Sequence, residues 1–478
     1  MGSAIENPKT KGKCQTFTSD KIVIKMLDYL GYSEGLYGKS ILENSCGNGQ
    51  FLKEIVKRYI EDCYRKQFNK AKVMKGLERD IYGIEIDKQQ YDTCIKNLNE
   101  VSMRFGIKNV KWKLFNGDAL STPFDGKFDY VVGNPPYISY WDLREPERSF
   151  IRKKYTACQY GACDYCYAFL QESINSLNAQ GKLVYIIPNS LFKTRSGKNL
   201  REILKPIITD IFDYSTTKAF ENVLTSSAII VIDNASNVQM ITYRDLSQKI
   251  EFKVKKETLD DMWLFVDGIE TKETMYRFGD YFKVSTGVAT QLNEAFVLKG
   301  WKESDTTIKK DGFEIEKATV RKAASPKNKL SKTTDYIIFP YYYNKDGTVG
   351  RYDEKTFRER FPKAYQYLFN SKEDLEKRNA DDKAKWFEYG RSQALSHINQ
   401  KKLMVSSIIT GNVHIYELDQ KEVPFSGMYI IPYGELPLSK AKEILQSEEF
   451  LKYLHTTGIN ANGKSFRITA RNISDYRW

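Results

Sequence analysis

Short apolar runs alternate with amphipathic stretches through the first half of the chain, the pattern of a parallel sheet covered by helices. Ser40-Ile41-Leu42-Glu43 reads as a strand, Phe51 to Tyr64 as a helix, and Ile81 to Glu85 as a second strand. Lys88 to Phe105 is again helical, Lys111 to Phe115 and Phe128 to Val132 are strands, Tyr165 to Leu177 is a helix and Lys182 to Ile187 a strand. From about Asp245 to Asp261 the pattern turns short, charged and irregular, which places a domain boundary at 245/246. Beyond it, strand-like pieces (Tyr336 to Tyr343, Lys402 to Ile409) and a helix (Lys440 to Tyr453) lie between long charged stretches. The prediction is a doubly wound, Rossmann-like α/β domain over 1–245 and a mixed α+β module over 246–478.

Composition adds little to this and excludes some readings. The 478 residues include 13% aromatic side chains, too many for a disordered chain. The longest apolar runs, such as Ala228 to Ile232, are far short of the ~20 residues of a membrane-spanning helix. Seven cysteines and no signal-like opening point to a reducing cytoplasm. Cys158, Cys163 and Cys166 lie close together but supply a single CxxC pair with no histidine nearby, so no metal is expected. The net charge of +13 suits a polyanionic partner. It divides as +7 over residues 1–240 and +6 beyond, so charge alone picks out no binding face.

Candidate chemistry concentrates at Asn134-Pro135-Pro136-Tyr137, directly after the buried strand Phe128 to Val132 and Gly133. Two prolines stiffen the backbone and remove two N–H donors, leaving carbonyl oxygens beside the Asn134 amide as acceptors. Such a corner suits an NH2 group that must donate two hydrogen bonds while its nitrogen attacks an electrophile. Tyr137 offers a face for a planar group. A strand-ending turn with a buried Asn is the plainer alternative. Upstream, Ser45-Cys46-Gly47-Asn48-Gly49 joins a strand to a helix, either as a tight turn or as a loop that a ligand approaches closely. Glu85, ending the next strand, can accept ribose hydroxyls, and Asp118, following the third, can accept an adenine amino group.

From about Gly12 to Asp233 these motifs resemble the S-adenosylmethionine-dependent DNA N6-adenine methyltransferases in the gamma arrangement, with a target-recognition domain after the catalytic one. The resemblance implies S-adenosylmethionine as cofactor. It assigns the methionine end to Thr16, ahead of a helix Asp20 to Leu30, and the cofactor loop to Glu43, Ser45, Cys46, Gly47 and Gly49. Glu85 and Ile86 then hold the ribose, Asp118 and Ala119 the adenine, and Phe169 walls the pocket beside Asn134. Asn134 to Tyr137 become catalytic, with Tyr137 and Phe220 packing against an extruded base. The sequence departs from the family in Asn44-Ser45, where Pro-Ala is usual, and in the long Glu43-to-Glu85 interval, read as a charged helix Lys53 to Lys75.

Duplex DNA is the implied partner. Arg144, Arg148, Arg152, Lys153 and Lys154 form a local basic cluster after the catalytic loop, either DNA-facing or a solvated helix face. Gly287, Asn293 and Phe296 open a segment typical of the recognition domain. Arg391 and Gln393, in Trp386 to Gln393, can read purine edges or grip phosphates; alternatively Trp386 and Tyr389 are core and Arg391 an ion-pair partner. Gly458 to Ser465 matches a phosphate-loop pattern in the wrong context, after a helix and before a strand, and the resemblance instead gives Lys464 and Arg467 phosphate contacts. The expected activity is methylation of a flipped adenine, beside a separate restriction endonuclease or as a solitary methylase. Protein-glutamine methylation, which poses the same NH2 geometry, RNA methylation and a non-catalytic DNA-binding subunit are the alternatives.

Overall fold

The computed structural model describes residues 18–122, 124, 128–214, 227–246, 249–265, 276–461 and 465–478. Thr16, Phe220 and Lys464 lie outside them. The chain forms two compact units, Met1–Ile269 and Glu270–Trp478.

The first unit is built on β1 (Ile41–Glu43), β2 (Ile81–Glu85), β3 (Lys113–Asn116), β4 (Phe128–Gly133), β5 (Leu177–Pro188), β6 (Ile208–Asp213), β7 (Ser227–Asp233), β8 (Met240–Asp245) and β9 (Ile250–Lys255). They form one sheet in the order β3-β2-β1-β4-β5-β7-β6-β8-β9. Strands β1 to β5 are mutually parallel, whereas β7 runs antiparallel between β5 and β6. The order reverses between β1 and β4, and a crevice forms outside the carboxyl ends of parallel strands at such a switch point.

Alternation along each strand feeds two cores, one on each face. Leu42, Val131, Leu183 and Ile230 enter one, and Ile41, Val132, Val184 and Ile229 the other. Helices α1 (Asp20–Leu30), α2 (Gln50–Arg65), α3 (Lys70–Asp80) and α4 (Lys88–Arg104) precede β4, and α5 (Glu145–Lys154) and α6 (Cys166–Asn175) follow it. Helix α1 turns Ile22, Val23, Met26, Leu27 and Leu30 onto the sheet, at the i, i+3/i+4 spacing of one face.

Two expectations change. The helix expected over Lys53 to Lys75 is two helices, α2 and α3. Gln67 takes a left-handed φ of 58°, and the Asn69 side chain caps α3 by accepting from Lys72 N–H at 2.9 Å. The boundary expected at 245/246 falls inside a β8–β9 hairpin that extends the first sheet. The charged, irregular pattern there is an edge strand with its outer face in water. Past that hairpin, Trp263 is fully buried in the first unit's core, 6.1 Å from Phe192 ring to ring, so the first unit continues to Ile269.

The second unit is mixed α+β. Phe282–Thr286, Met428–Pro432, Lys402–Val405 and Ile415–Leu418 share one sheet, and Val297–Leu298, Asp335–Ile338, Val320–Ala324 and Val423–Pro424 another. Three expected elements are each divided in two. The strand over Tyr336 to Tyr343 breaks at Phe339-Pro340, where proline offers no N–H to the ladder. Lys402 to Ile409 becomes strands in two different sheets. The helix over Lys440 to Tyr453 restarts at Ser447, whose hydroxyl caps Phe450 N–H at 3.1 Å. Gly458 to Ser465 follows the helix Glu448–Thr457 and leads through Ile459–Asn460 into Ser465–Arg467, its antiparallel partner, so the strand–loop–helix surround of a phosphate loop is lacking.

Candidate active site at the carboxyl ends of β1, β2 and β4

The loop from β1 to α2 turns through Gly47 (φ 52°) and Gly49 (φ 84°), conformations that L side chains rarely adopt. A Cβ on Gly49 would meet Cys94 Sγ at 2.7 Å, whereas one on Gly47 would meet nothing within 4 Å. Gly49 is therefore fixed by packing against α4, and Gly47 faces open space that a ligand can enter.

Parallel register Glu43↔Gly83 brings the end of β2 beside this loop. Glu85 Oε2 accepts from Gly47 N–H, and its Oε1 from Asp87 N–H, both at 2.8 Å. Burial is the largest influence on the carboxyl and raises its pKa, while the backbone donors partly offset this. Gly117 N–H reaches Glu85 O at 3.0 Å, which sets Asp118 next to the same edge. Asp118 is itself held by Leu120 N–H (3.0 Å) and Ser121 Oγ (2.7 Å). Ile86 between them is 54% exposed, an apolar surface beside two carboxylates.

Asn134 follows β4 on the other side of the switch point. Ser45 Oγ donates to Asn134 O at 3.2 Å, and the Asn134 amide donates to Thr18 Oγ1 at 3.3 Å. Thr18, Asn134 and Ser45 thus form one bonded group, and Gly47, Glu85 and Gly117 another, joined through the Ser45-to-Gly47 backbone. Pro135 is buried and Pro136 and Tyr137 are half-buried. The Tyr137 hydroxyl points inward without a hydrogen-bond partner, and burial pushes its pKa well up. The loop is tied to α6 by Tyr165 N–H donating to Ile138 O at 3.0 Å, and Phe169 on that helix packs edge-on to Tyr165 at 5.4 Å.

Several expected residues sit deeper than a ligand-facing surface. The Glu43 side chain is 2% exposed, accepts from Leu52 N–H in the first turn of α2, and keeps a buried Oε2 with no partner. Cys46, 3% exposed, turns its thiol to Cys94, so the loop presents its backbone. Ala119 and Phe169 are buried as well. Cys158, Cys163 and Cys166 are all buried, and the first two share a hydrogen bond. Among the described residues no three His, Cys, Asp or Glu side chains converge as a metal site, and no helix is long and apolar enough to cross a membrane.

Sequence reasoning missed Thr18, the partner of the Asn134 amide, and the network beneath it. Asn44 Nδ2 donates to Ser173 Oγ at 2.9 Å, and Tyr185 OH donates to Asn44 Oδ1. This explains the departure from Pro-Ala: an Asn at 44 is matched by polar partners on α6 and β5. No signal in the sequence pairs residues 129 and 141 positions apart.

The basic residues after the loop are mostly committed. Arg148 donates to Tyr140 O (3.0 Å) and Trp141 O (2.8 Å), Arg152 to Gly161 O (3.0 Å), and Lys154 to Leu120 O (2.6 Å). Arg144 lies 3.8 Å from Glu147, and Lys153 is exposed. In the second unit Arg391 pairs with Asp381 at 2.7 Å and Tyr389 is fully buried, while Gln393 and Arg467 are exposed.

Sequence and structure comparisons relate this chain to restriction-modification methylases. Residues 35–220 match the family described as Eco57I restriction-modification methylase. That match lies within the first unit. Type II methyltransferase M.BstVI of Geobacillus stearothermophilus is 24% identical, covering 96% of this chain and 89% of its own. M.XhoI of Xanthomonas vasicola is 22% identical over 96% and 90%. The fold also resembles the Type IIL restriction-modification enzyme MmeI, solved in complex with DNA, at 14% identity and a TM-score of 0.61. That likeness covers 95% of this chain and 64% of MmeI, so the chain spans just under two thirds of that protein's length. The chain is a DNA methyltransferase of the restriction-modification type, with an α/β methyltransferase fold.

Proposed function

We propose that the chain transfers a methyl group from S-adenosylmethionine to N6 of an adenine flipped out of a specific duplex site. The observation that carries this reading is Asn134, gripped by Thr18 and Ser45 directly before two prolines. Thr18 and Ser45 hold the loop in place, so the Asn134 amide oxygen and the Pro135 carbonyl are pre-set acceptors for the two protons of one NH2 group. Accepting both draws the nitrogen lone pair out of ring conjugation, and proximity and fixed dipoles then supply the catalysis. The histidines, His397, His414 and His455, all lie in the second unit, and none of them is needed for this step.

The residues fit the cofactor. Gly47 leaves space for close approach, Glu85 and Asp118 present oriented carboxylates for ribose hydroxyls and an adenine amino group, and Ile86 supplies apolar surface. When bound there, the cofactor supplies an electrophilic methyl group. Thr16 and Phe220 complete the expected contacts to cofactor and base.

The second unit, 270–478, serves as the target-recognition module, and a separate restriction endonuclease is the partner where the chain serves a restriction system. The experiment is methylation of plasmid DNA with S-adenosylmethionine followed by nucleoside analysis. N6-methyladenine supports the reading; N4-methylcytosine, or no methylated base, overturns it. Asn134→Ala should abolish the product while cofactor binding persists.

A further inference from the structure

Four residues beyond Tyr137, Trp141 projects into solvent with 72% of its surface exposed. Its surroundings hold it there. Ser139 Oγ caps the short turn by accepting from Trp141 N–H at 3.4 Å. Arg148 donates to the carbonyls of both Tyr140 and Trp141, and its guanidinium lies 5.1 Å from the Tyr140 ring and 5.9 Å from the Trp141 ring. Arg152 covers Tyr140 at 4.8 Å, and the two rings meet edge to face at 5.3 Å. A single exposed apolar residue is ordinary. An exposed indole clamped at its backbone by Arg148 and packed edge-on against Tyr140 is a rigid projection, because its turn is fixed by bonds to α5.

Four residues reach at most about 14 Å, so Trp141 lies within about four base-pair rises of the face that Tyr137 offers to an extruded base. Base flipping leaves a gap in the stack and an unpaired partner base, and an aromatic face offsets lost stacking. We infer that Trp141 is a positioning residue that enters the target duplex where the adenine has left and stacks there, holding the extruded state. The inference rests on the proposed reaction only in requiring an extruded base, of whatever kind.

The test first maps the site that the wild-type protein modifies by sequencing methylated plasmid. It then compares Trp141→Ala and Trp141→Phe on two duplexes of that site, one fully paired and one with a mismatch opposite the target base. A mismatched base is already cheap to extrude. Trp141→Ala should lose about tenfold or more in kcat/KM on the paired duplex and much less on the mismatched one, with Trp141→Phe between. Equal losses on both duplexes, or no loss on either, would overturn the proposal. A 2-aminopurine at the target position gives a second readout, with less fluorescence gain expected for Trp141→Ala. If nucleoside analysis shows a base other than adenine to be modified, the N6 reading fails while this comparison stands.

Discussion

The Glu85 carboxylate bridges two backbone donors, Gly47 N–H of the β1–α2 loop and Asp87 N–H ahead of α4, each at 2.8 Å. One side chain therefore shapes the glycine loop, and in the proposed reading it also accepts the cofactor's ribose hydroxyls. Glu85→Gln puts an NH2 against one of those N–H groups and should weaken S-adenosylmethionine binding about tenfold or more, because hydrogen bonds to a charged group contribute ~1.5–3 kcal/mol. The pH response gives a sharper test. Burial raises the Glu85 pKa, so acidification protonates it earlier than an ordinary carboxylate and removes an acceptor. Cofactor affinity by calorimetry should fall as pH drops through that raised pKa, and Glu85→Gln should flatten the response.

Glu43 raises the opposite issue. Burial pushes its pKa well above the usual carboxylate range, with Cys94 and Glu85 adding to the effect. A folded-state pKa above the unfolded one means that stability is greatest below the unfolded pKa and declines as pH rises toward the folded value. Glu43→Gln, which cannot ionise, should therefore melt higher than wild type at pH 7.5 and no higher near pH 4. A melting advantage that grows on acidification would contradict this.

Tyr185 on β5 supports the ends of β1 and β4. Its hydroxyl serves Asn44 Oδ1, and its ring would lie 3.2 Å from a Cβ on Gly133. Tyr185→Phe keeps the ring and leaves a buried amide oxygen without its donor, at a cost of ~1–3 kcal/mol. Thermal unfolding should shift down by several degrees.

What was legible in the sequence was what local pattern encodes. Strands β1 to β5 bury both faces or alternate, so their runs stood out, and Asn134-Pro135-Pro136-Tyr137 stood out as a stiff, acceptor-rich corner directly after one of them. Edge strands such as Ile250–Lys255 carry charge on a wet face and read as linker, which misplaced the domain boundary. Helix breaks at Gln67 and Gln446 depend on single-residue conformations and caps that periodicity does not resolve. Contacts such as Asn134–Thr18 join residues 116 positions apart, and only the folded sheet brings them together.

Thr18 is where that long-range contact can be tested. Its hydroxyl accepts from the Asn134 amide nitrogen and so directs the amide oxygen. Thr18→Val keeps the shape and removes the acceptor, leaving the Asn134 amide freer to rotate. Turnover should fall about tenfold while the affinities for cofactor and DNA change little, since the change acts at the reacting corner. Thr18→Ser, which keeps the hydroxyl, should restore most of the rate. Loss of cofactor affinity in Thr18→Val would show instead a general collapse of the site.

If the second unit recognises the target as proposed, its exposed polar residues and its paired ones should behave differently on substitution. Arg391 is paired with Asp381 at 2.7 Å and is reached through the bridge from Ala289, whereas Gln393 and Arg467 are exposed. Replacing Gln393 with Ala should relax the recognised sequence at one position, since a good bidentate base contact discriminates by ~1–3 kcal/mol. Replacing Arg467 should weaken binding to all sequences alike and lower the slope of log K against log salt by about 0.9, the share of one phosphate contact. Arg391→Ala should chiefly lower the melting temperature. Sequencing the methylated sites of each variant, with binding titrated at several salt concentrations, distinguishes these roles. A change of recognised sequence in Arg391→Ala with unchanged melting would mean that the Asp381 pair opens to let Arg391 reach a base.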